Sequence, residues 1–407
     1  MSRPVERALF LLRWLALACL VGVIAGIGSA AFIGGLNWAT ATRSNNLWLI
    51  WLLPVAGFVI GGAYHYFGKG LERGSNLVID QIHDTSHWIT PRMSALVYVN
   101  SVITHVFGGS AGREGGAIQI AVGLTDPISK RLRFSPQDRS MMLVTAIAGA
   151  FGGAFGVPFA GTIFALEVQR VGRVKYEALI PAFTAALVGD AVVRELDVKH
   201  TEYPVLSTFD WDFETAWKLA VLGVAAGIVA YLFVLGTHLI QRVAAKVIKW
   251  YPLRPTIGGI AIASMVLLFG WRDYQGLSTP LALDAFAGED ARSWIPKLIL
   301  TAVTIGCGFV GGEVIPLFVI GALLGSNMSD LLGVDPTLFA MMGSVAVLGA
   351  AANVPLACIV LGIELFGGAN ALMFAVVCIV AYAVSGHRSV YSAQIVDVPK
   401  WRPIRDR

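Results

Sequence analysis

Long stretches without a charged residue are the feature that most limits how this chain can fold. Most of them reach the roughly 20 residues that an α-helix needs to cross a bilayer core; they are residues 14–42, 44–68, 93–112, 141–166, 219–241, 255–271, 336–363 and 365–387. Only 14% of the residues are charged, against about 25% in ordinary soluble domains. The pattern excludes a water-soluble enzyme and a free nucleic-acid-binding protein, and it predicts an all-α polytopic membrane protein in a lipid bilayer.

Basic residues mark the loops that we expect to face the cytoplasm. They flank the first apolar stretch, follow the last one and fill two internal loops; they are Arg3, Arg7, Arg13, Lys130, Arg131, Arg133, Arg139, Arg242, Lys246, Lys249, Arg254, Lys400, Arg402, Arg405 and Arg407. By the positive-inside rule, both termini are predicted to be cytoplasmic. The acidic loop at 201–215 is expected on the opposite, outer side.

The second half of the chain repeats parts of the first. Residues 148–168 and 345–365 are similar apolar segments with a Val-Pro step, and Glu167 and Glu364 near their ends lie 197 residues apart. Upstream of each segment is a Gly-rich turn that contains a glutamate, Glu114 or Glu313, 199 residues apart. Two pairs of similar segments, in the same order and separated by nearly the same number of residues, predict two structural repeats.

The apolar stretches after these turns, 115–125 and 314–329, are shorter than a full membrane span. They therefore predict half-helices that begin inside the membrane, where irregular backbone survives only if it is buried in protein or lines a wet cavity. Corresponding Gly-interrupted segments in two halves point to a binding site at the bilayer midplane. The free N–H groups and the positive dipole end of such helices favour an anion.

Ionisable residues within apolar spans are functional candidates by default. We predict that Glu114 occupies the place of the anion and leaves it on protonation, as a gate and proton carrier; the alternative is a carboxylate held permanently at the helix start. Glu313, in the matching turn, is predicted to act in the same pathway. Arg113 is predicted to be a structural partner of a carboxylate or carbonyl. Glu167 and Glu364 are predicted to hold backbone amides.

Three further polar residues adjoin apolar spans. The Tyr391 hydroxyl can bind an anion, although from the residues alone an interfacial tyrosine is the commoner reading. His105 and His387 can relay protons, but we favour histidines whose nitrogens are satisfied within the fold. Ser110 and His105 also raise the alternative of an intramembrane hydrolase, which five residues of separation and the lack of a nearby acid disfavour. A purely structural membrane protein is a further alternative.

Together, these motifs resemble the CLC family of chloride channels and anion/proton antiporters. They are GREGG at 112–116, GGEVIP at 311–316, GSN at 74–76 and the late tyrosine, Tyr391. The resemblance implies a homodimer with one anion pathway per subunit, and inverted-topology repeats whose broken half-helices meet at the membrane midplane. It implies that Glu114 is the gating glutamate and that the protein uses no cofactor or metal. The anion-binding residues that it implies are Ser75, Asn76, Gly115, Gly116, Val314, Ile315 and Tyr391.

Two features are most similar to the bacterial fluoride-exporting branch of the family: the GREGG ending and the added glutamate, Glu313. Chloride/proton antiporters of the family carry an inner proton glutamate where this chain has Val168. Ser75, in contrast, resembles chloride members, since the fluoride branch often has methionine there, and Ile315 replaces its usual threonine. The expected function is fluoride export in exchange for protons, and the alternative is a chloride/proton antiporter or chloride channel of the same fold.

The chemistry of fluoride fits this expectation. Fluoride is small and strongly hydrated, so removing its water requires several directed hydrogen-bond donors, which Ser75, Asn76, Tyr391 and the half-helix N–H groups can supply. The expected organisation is a first repeat half at 1–200, the outer loop at 201–215, a second, inverted half at 216–387 and a cytoplasmic tail at 388–407. The expected location is the inner membrane of a bacterium.

Overall fold

Sixteen α-helices make up most of the described part of the chain, residues 3–289 and 292–401 of this computed structural model. The first eight are α1 (Arg3–Asn45), α2 (Leu53–Phe67), α3 (Ser75–His83), α4 (Pro91–Val106), α5 (Glu114–Arg131), α6 (Pro136–Phe155), α7 (Pro158–Glu167) and α8 (Leu179–Glu195). The others are α9 (Phe213–Val247), α10 (Leu253–Phe269), α11 (Thr279–Phe286), α12 (Ile295–Gly306), α13 (Val314–Leu332), α14 (Pro336–Ala352), α15 (Pro355–Phe366) and α16 (Ala371–Val384). Arg402, Arg405 and Arg407, on which the predicted orientation partly rests, lie outside the described residues.

Within the described residues, five helical segments are long and apolar enough to cross a membrane: Val5–Asn45, Leu47–Phe67, Tyr176–Glu195, Phe213–Val247 and Val314–Leu332. Large apolar side chains cover the outer surface, including Leu12, Trp51 and Leu268. An apolar surface of this extent requires lipid around it. The all-α polytopic fold class predicted from the sequence is confirmed.

Two of the long apolar stretches each contain two helices. In the stretch 141–166, α6 ends at Gly156, which has a φ of 76°, and α7 starts with Pro158. In 336–363, α14 ends at Asn353, which has a φ of 55°, and α15 starts with Pro355. A left-handed residue ends a helix and a proline favours its first turn. The break therefore recurs at the same place in both repeats.

Helices α7 and α15 lie antiparallel, and each supplies the N-terminal cap of the other. The Glu167 carboxylate accepts hydrogen bonds from Leu356 N (3.2 Å) and Ala357 N (2.8 Å) at the start of α15. The Glu364 carboxylate accepts from Phe159 N (3.2 Å) and Ala160 N (2.9 Å) at the start of α7. The prediction that these glutamates hold backbone amides is confirmed, and the amides belong to the opposite repeat.

The two Gly-rich turns meet at the starts of α5 and α13. Gly112 N donates to Gly312 O (2.6 Å) and Gly312 N donates to Gly112 O (2.8 Å), which forms a short antiparallel bridge. The bridge is antiparallel, so the chain leaves it in opposite directions to enter α5 and α13. Two oppositely directed helix starts therefore lie side by side in the interior.

The helices that follow the turns are longer than predicted. The apolar stretch 115–125 predicted an end before Asp126, but α5 continues to Arg131. The Asp126 carboxylate accepts two hydrogen bonds from the Arg139 guanidinium, at 2.8 and 2.7 Å, and a third from Ile89 N. These partners satisfy the buried carboxylate within the protein, so the helix can continue past Asp126 without exposing it to water. A charge was therefore a poor marker of the helix end.

The segment after α16 folds back over the helices. Its strand β2 (Ile395–Val396) pairs in parallel with β1 (Arg170–Val171), which follows α7. Gln394 donates to Val168 O and Ala352 O. We call this side of the molecule, formed by β1 and residues 388–401, the tail side. We call the opposite side, formed by residues 196–212 between α8 and α9, the loop side; α16 connects the two.

The reciprocal caps predict a stability effect. Glu167→Ala leaves two amides of the first turn of α15 without their acceptor, and losing such a cap costs about 1–2 kcal/mol. We expect a lower melting temperature in detergent. Glu195→Ala, at an exposed position of α8, is the matched control and should melt like the unaltered protein. Equal melting temperatures for the two variants would contradict the capping role of Glu167.

Candidate anion pathway

A polar cavity of about 190 Å³ reaches from the protein surface to the second Gly-rich turn, residues 308–313, and to Gln119 of α5. Its lining includes Ser75 and Asn76 at the start of α3, Glu313 before α13, and Tyr391 from the tail. These four residues come from three separate parts of the chain, and each was a candidate from the sequence. The charged residues Glu72, Arg73 and Arg254 also line the cavity, so its wall is suited to water and ions.

Ser75 faces the start of α5 across a narrow space. A Cβ atom built on Gly115 would lie 3.5 Å from Ser75 Oγ and 3.9 Å from Glu313 Oε2. Only glycine leaves this space open beside the first turn of the helix. Gln119 Nε2 donates to Ser75 Oγ at 3.2 Å, so the hydroxyl hydrogen of Ser75 is available to an anion. Gln119 was missed from the sequence; its polarity within the apolar stretch 115–125 was the available signal.

Tyr391 is 3% exposed, and its hydroxyl has no hydrogen-bond partner among the described residues. The ring packs edge-on against Phe164. The backbone around it is fixed, because Val390 N donates to Ala351 O (2.9 Å) and Asn76 Oδ1 accepts from Ala393 N (3.0 Å). The carbonyl of Asn76 thus anchors the segment that carries Tyr391. The tyrosine is held in the cavity wall with a free donor rather than at an interface.

Glu114 is completely buried and does not line the cavity. Its carboxylate accepts from Arg113 Nε at 3.2 Å and from Arg113 N at 3.3 Å. Both partners belong to the neighbouring residue, so the carboxylate is held locally and not by a distant element. It lies within electrostatic range of the Tyr391 hydroxyl. The cavity therefore ends at Glu313 and Tyr391, and Glu114 lies beyond its end.

The remaining predicted site residues, Gly116, Val314 and Ile315, lie in the first turns of α5 and α13. Gly116 packs against the Phe32 ring of α1. Val314 and Ile315 are buried and, like Gly116, lie outside the lining of the cavity. Their side chains are apolar, so the only groups that they offer an anion are the backbone N–H groups of a first helical turn.

The structure reveals a buried lysine that sequence reasoning missed. Lys297, at the start of α12, is fully buried. Its ammonium donates to Ser110 Oγ (2.9 Å), Gly276 O (2.7 Å) and Ser278 Oγ (3.0 Å). Ser110 immediately precedes the turn that bridges to Gly312, so Lys297 fastens that turn to the segment before α11. Lysine in an apolar stretch was the signal, since such a charge is tolerated only with partners.

Ser110 and His105, the pair on which the hydrolase alternative rested, do not contact each other through their side chains. His105 Nδ1 lies 2.8 Å from Ser101 O and His105 Nε2 lies 3.1 Å from Ala111 O, so both nitrogens are occupied by backbone. Ser110 Oγ instead contacts Lys297 and donates to Tyr274 O. The prediction that the His105 nitrogens are satisfied within the fold is confirmed, and the hydrolase alternative has no geometric support.

Comparison with known proteins decides the family. A family model described as voltage gated chloride channel matches residues 56–386. The chain belongs to the CLC family. The resemblance read from the sequence motifs is therefore confirmed.

Individual CLC relatives resemble the chain over nearly its full length. It is 41% identical over 394 residues to a chloride/fluoride channel protein of Pseudomonas syringae pv. tomato, covering 95% of this chain and 87% of that protein. The crystal structure of a CLC-type fluoride/proton antiporter matches with a TM-score of 0.91 at 33% identity, covering 95% and 98% of the two chains. A slow cyanobacterial Cl⁻/H⁺ antiporter shares the fold, with a TM-score of 0.77 at 18% identity over 93% and 96% of the chains.

The Lys297 contacts predict a structural role in this CLC protein. Lys297→Met keeps much of the side-chain volume but leaves buried acceptors unpaired, each at a cost of about 1–3 kcal/mol. We expect a clear fall in the melting temperature in detergent, whereas Lys246→Met, at an exposed position of α9, should have no effect. A Lys297→Met protein that melts with the control would show that the ammonium contacts are dispensable.

Proposed function

We propose that this protein is a fluoride/proton antiporter that exports fluoride, with Glu114 as the gate. The observation that carries the proposal is the convergence of Ser75, Gly115, Glu313 and Tyr391 around the end of one polar cavity. The likeness to a CLC-type fluoride/proton antiporter and to a chloride/fluoride channel protein supports the choice of ions.

Hydrogen-bond donors at the end of the cavity suit a small anion that must lose its water. The hydroxyls of Ser75 and Tyr391 are both able to donate, and the first turns of α5 and α13 add backbone N–H groups. Asn76 offers its amide nitrogen, since its carbonyl is bound to the tail. Gly116, Val314 and Ile315 contribute through their backbone and shape the wall.

The proton is carried by two carboxylates, Glu114 and Glu313, that lie near the proposed anion-binding site. Glu114 competes with the anion for the positive end of α5 and leaves when it is protonated, while Arg113 holds it in the closed state. Glu313 lines the cavity and lies near the anion space beside Gly115, so it exchanges protons with the water of the cavity. Val168, whose carbonyl binds Gln394, offers no carboxylate after α7, which leaves Glu114 and Glu313 as the proton carriers.

The protein is proposed to be a homodimer in a bacterial inner membrane, with its tail side and both termini in the cytoplasm. The basic loops support this orientation. The cavity then opens to the cytoplasm, where fluoride must be collected for export. The repeat halves 1–200 and 216–387, joined by the outer loop 201–215 and followed by the tail 388–407, are the proposed units of the pathway.

A chloride/proton antiporter or chloride channel is the second candidate, and Ser75 is the residue that favours it. A hydroxyl there resembles the chloride members of the family. The two candidates share the fold, the gate and the cavity, so ion selectivity alone separates them.

Ion selectivity is tested with purified protein in liposomes. Under equal outward gradients, with the membrane potential collapsed, we expect fluoride efflux to exceed chloride efflux on the order of tenfold, which corresponds to about 1.4 kcal/mol. Ion-selective electrodes measure both fluxes, and protein-free liposomes give the leak. Chloride efflux equal to or faster than fluoride efflux would overturn the fluoride assignment in favour of the second candidate.

Proton coupling is tested by Glu114→Gln, which cannot release a proton. A fluoride gradient should drive proton movement through the unaltered protein, measured with a pH-sensitive dye inside the liposomes. The variant should lose this movement while fluoride flux continues, and Glu195→Gln should behave like the unaltered protein. If Glu114→Gln still exchanges fluoride for protons, Glu114 is not the gate.

A further inference from the structure

The loop between α8 and α9, residues 196–212, is packed onto the helices. Leu206 is buried, and its N donates to Phe366 O at 2.9 Å. Asn370 binds the loop twice, accepting from Phe209 N (3.1 Å) and donating to Ser207 O (2.8 Å). At the other end, His200 Nε2 lies 2.8 Å from Gly153 O. The loop is therefore a fixed cover on this side of the molecule.

Tyr203 is the residue of this loop that points into the helices. Its ring lies against three phenylalanines from different helices, with centroid separations of 6.1 Å to Phe286, 5.7 Å to Phe318 and 6.0 Å to Phe366. The three phenylalanines also contact one another. These edge-to-face contacts fix the ring, and they would be the same for a phenylalanine at this position.

The hydroxyl of Tyr203 has no role in this packing. Its oxygen is buried and makes no hydrogen bond of good geometry among the described residues, although the Thr201 side chain lies close to it. A buried hydroxyl without a partner is unfavourable for folding. Its ring partner Phe318 lies near the start of α13, and the turn before α13 lies against the backbone of Glu114, because a Cβ atom built on Gly312 would lie 3.5 Å from Glu114 N. The hydroxyl thus lies near the gate, on the side away from the cavity.

We propose that Tyr203 is the partner that receives the Glu114 carboxyl on the loop side when Glu114 leaves the anion pathway. This inference rests on the proposed gating role of Glu114. Within the described part of the chain, the hydrogen bonds to the closed carboxylate come from Arg113, the residue beside it, so releasing it breaks no hydrogen bond to a distant described element. The surroundings on the loop side are aromatic, and a carboxyl that moves there requires a polar partner.

A tyrosine hydroxyl suits both protonation states of that carboxyl. It donates to a carboxylate and accepts from a carboxylic acid. Tyr203 would therefore hold Glu114 while its proton exchanges with water on the loop side, and then let it return. Tyr203 is a positioning residue in this scheme, because it contacts the gate and not the transported anion.

The test is Tyr203→Phe, which removes one oxygen and keeps the ring. Because the hydroxyl has no partner in the fold, the melting temperature should be unchanged or higher. The rate of fluoride-driven proton movement should fall on the order of tenfold, the effect of losing one hydrogen bond to a charged group. Tyr98→Phe is the matched control, because the Tyr98 hydroxyl hydrogen is already donated to Ala31 O, and it should exchange protons normally.

A second measurement separates this inference from the proposed function. In the Glu114→Gln background, Tyr203→Phe should have no further effect on fluoride flux, since its partner carboxyl is gone. Normal proton exchange by Tyr203→Phe would overturn the inference and leave the gate intact. A fall in exchange that merely follows a loss of melting temperature would also overturn it. Coupled exchange by Glu114→Gln alone would instead overturn the proposed function.

Discussion

The hydrogen bonds between Gly112 and Gly312 are the constraint on which the rest of the structure depends. A helix can begin inside a membrane only if the backbone that leads to it finds partners, because each unsatisfied group costs several kcal/mol in lipid. Here the backbone N–H and C=O groups of Gly112 and Gly312 are hydrogen-bond partners of one another. A Cβ on Gly112 would lie 2.8 Å from Pro316 Cδ, so glycine is required for this approach. The bridge fixes both helix starts beside one cavity.

Two pairs of matched glutamates illustrate how the same residue type has different roles in this fold. Glu167 and Glu364 each accept two hydrogen bonds from the opposite repeat, and this ties the repeats together. Among the residues that the structure describes, Glu114 is held by its neighbour Arg113, and Glu313 faces a cavity. A carboxylate satisfied by distant backbone is costly to move, whereas one held locally is free to exchange partners. The freedom of a carboxyl to move, which the proposed gating role of Glu114 requires, therefore depends on its partners and not on its burial.

Sequence reasoning predicted the features that a local pattern determines. The starts of α5 and α13 were predicted because glycine-rich turns with a charge precede short apolar stretches, and the glutamate caps were predicted because the repeat matched them. The length of α5 was wrong, since the partner of Asp126 could not be inferred. Lys297 was missed for the same reason: its acceptor Ser110 lies 187 residues away. Contacts between distant segments decide whether a charge is tolerated, and a sequence pattern does not show them.

Under the proposed gating role of Glu114, the two tyrosines offer its carboxyl a partner on each side. Tyr391 and Tyr203 both carry a buried hydroxyl without a partner among the described residues, and both lie within electrostatic range of Glu114. One belongs to the tail side and the other to the loop side. An unsatisfied hydroxyl is unfavourable for folding, so two of them around one carboxyl are better explained by transport than by stability. A carboxyl that has one hydroxyl partner towards the tail side and another towards the loop side can move between them and find a hydrogen bond in both positions.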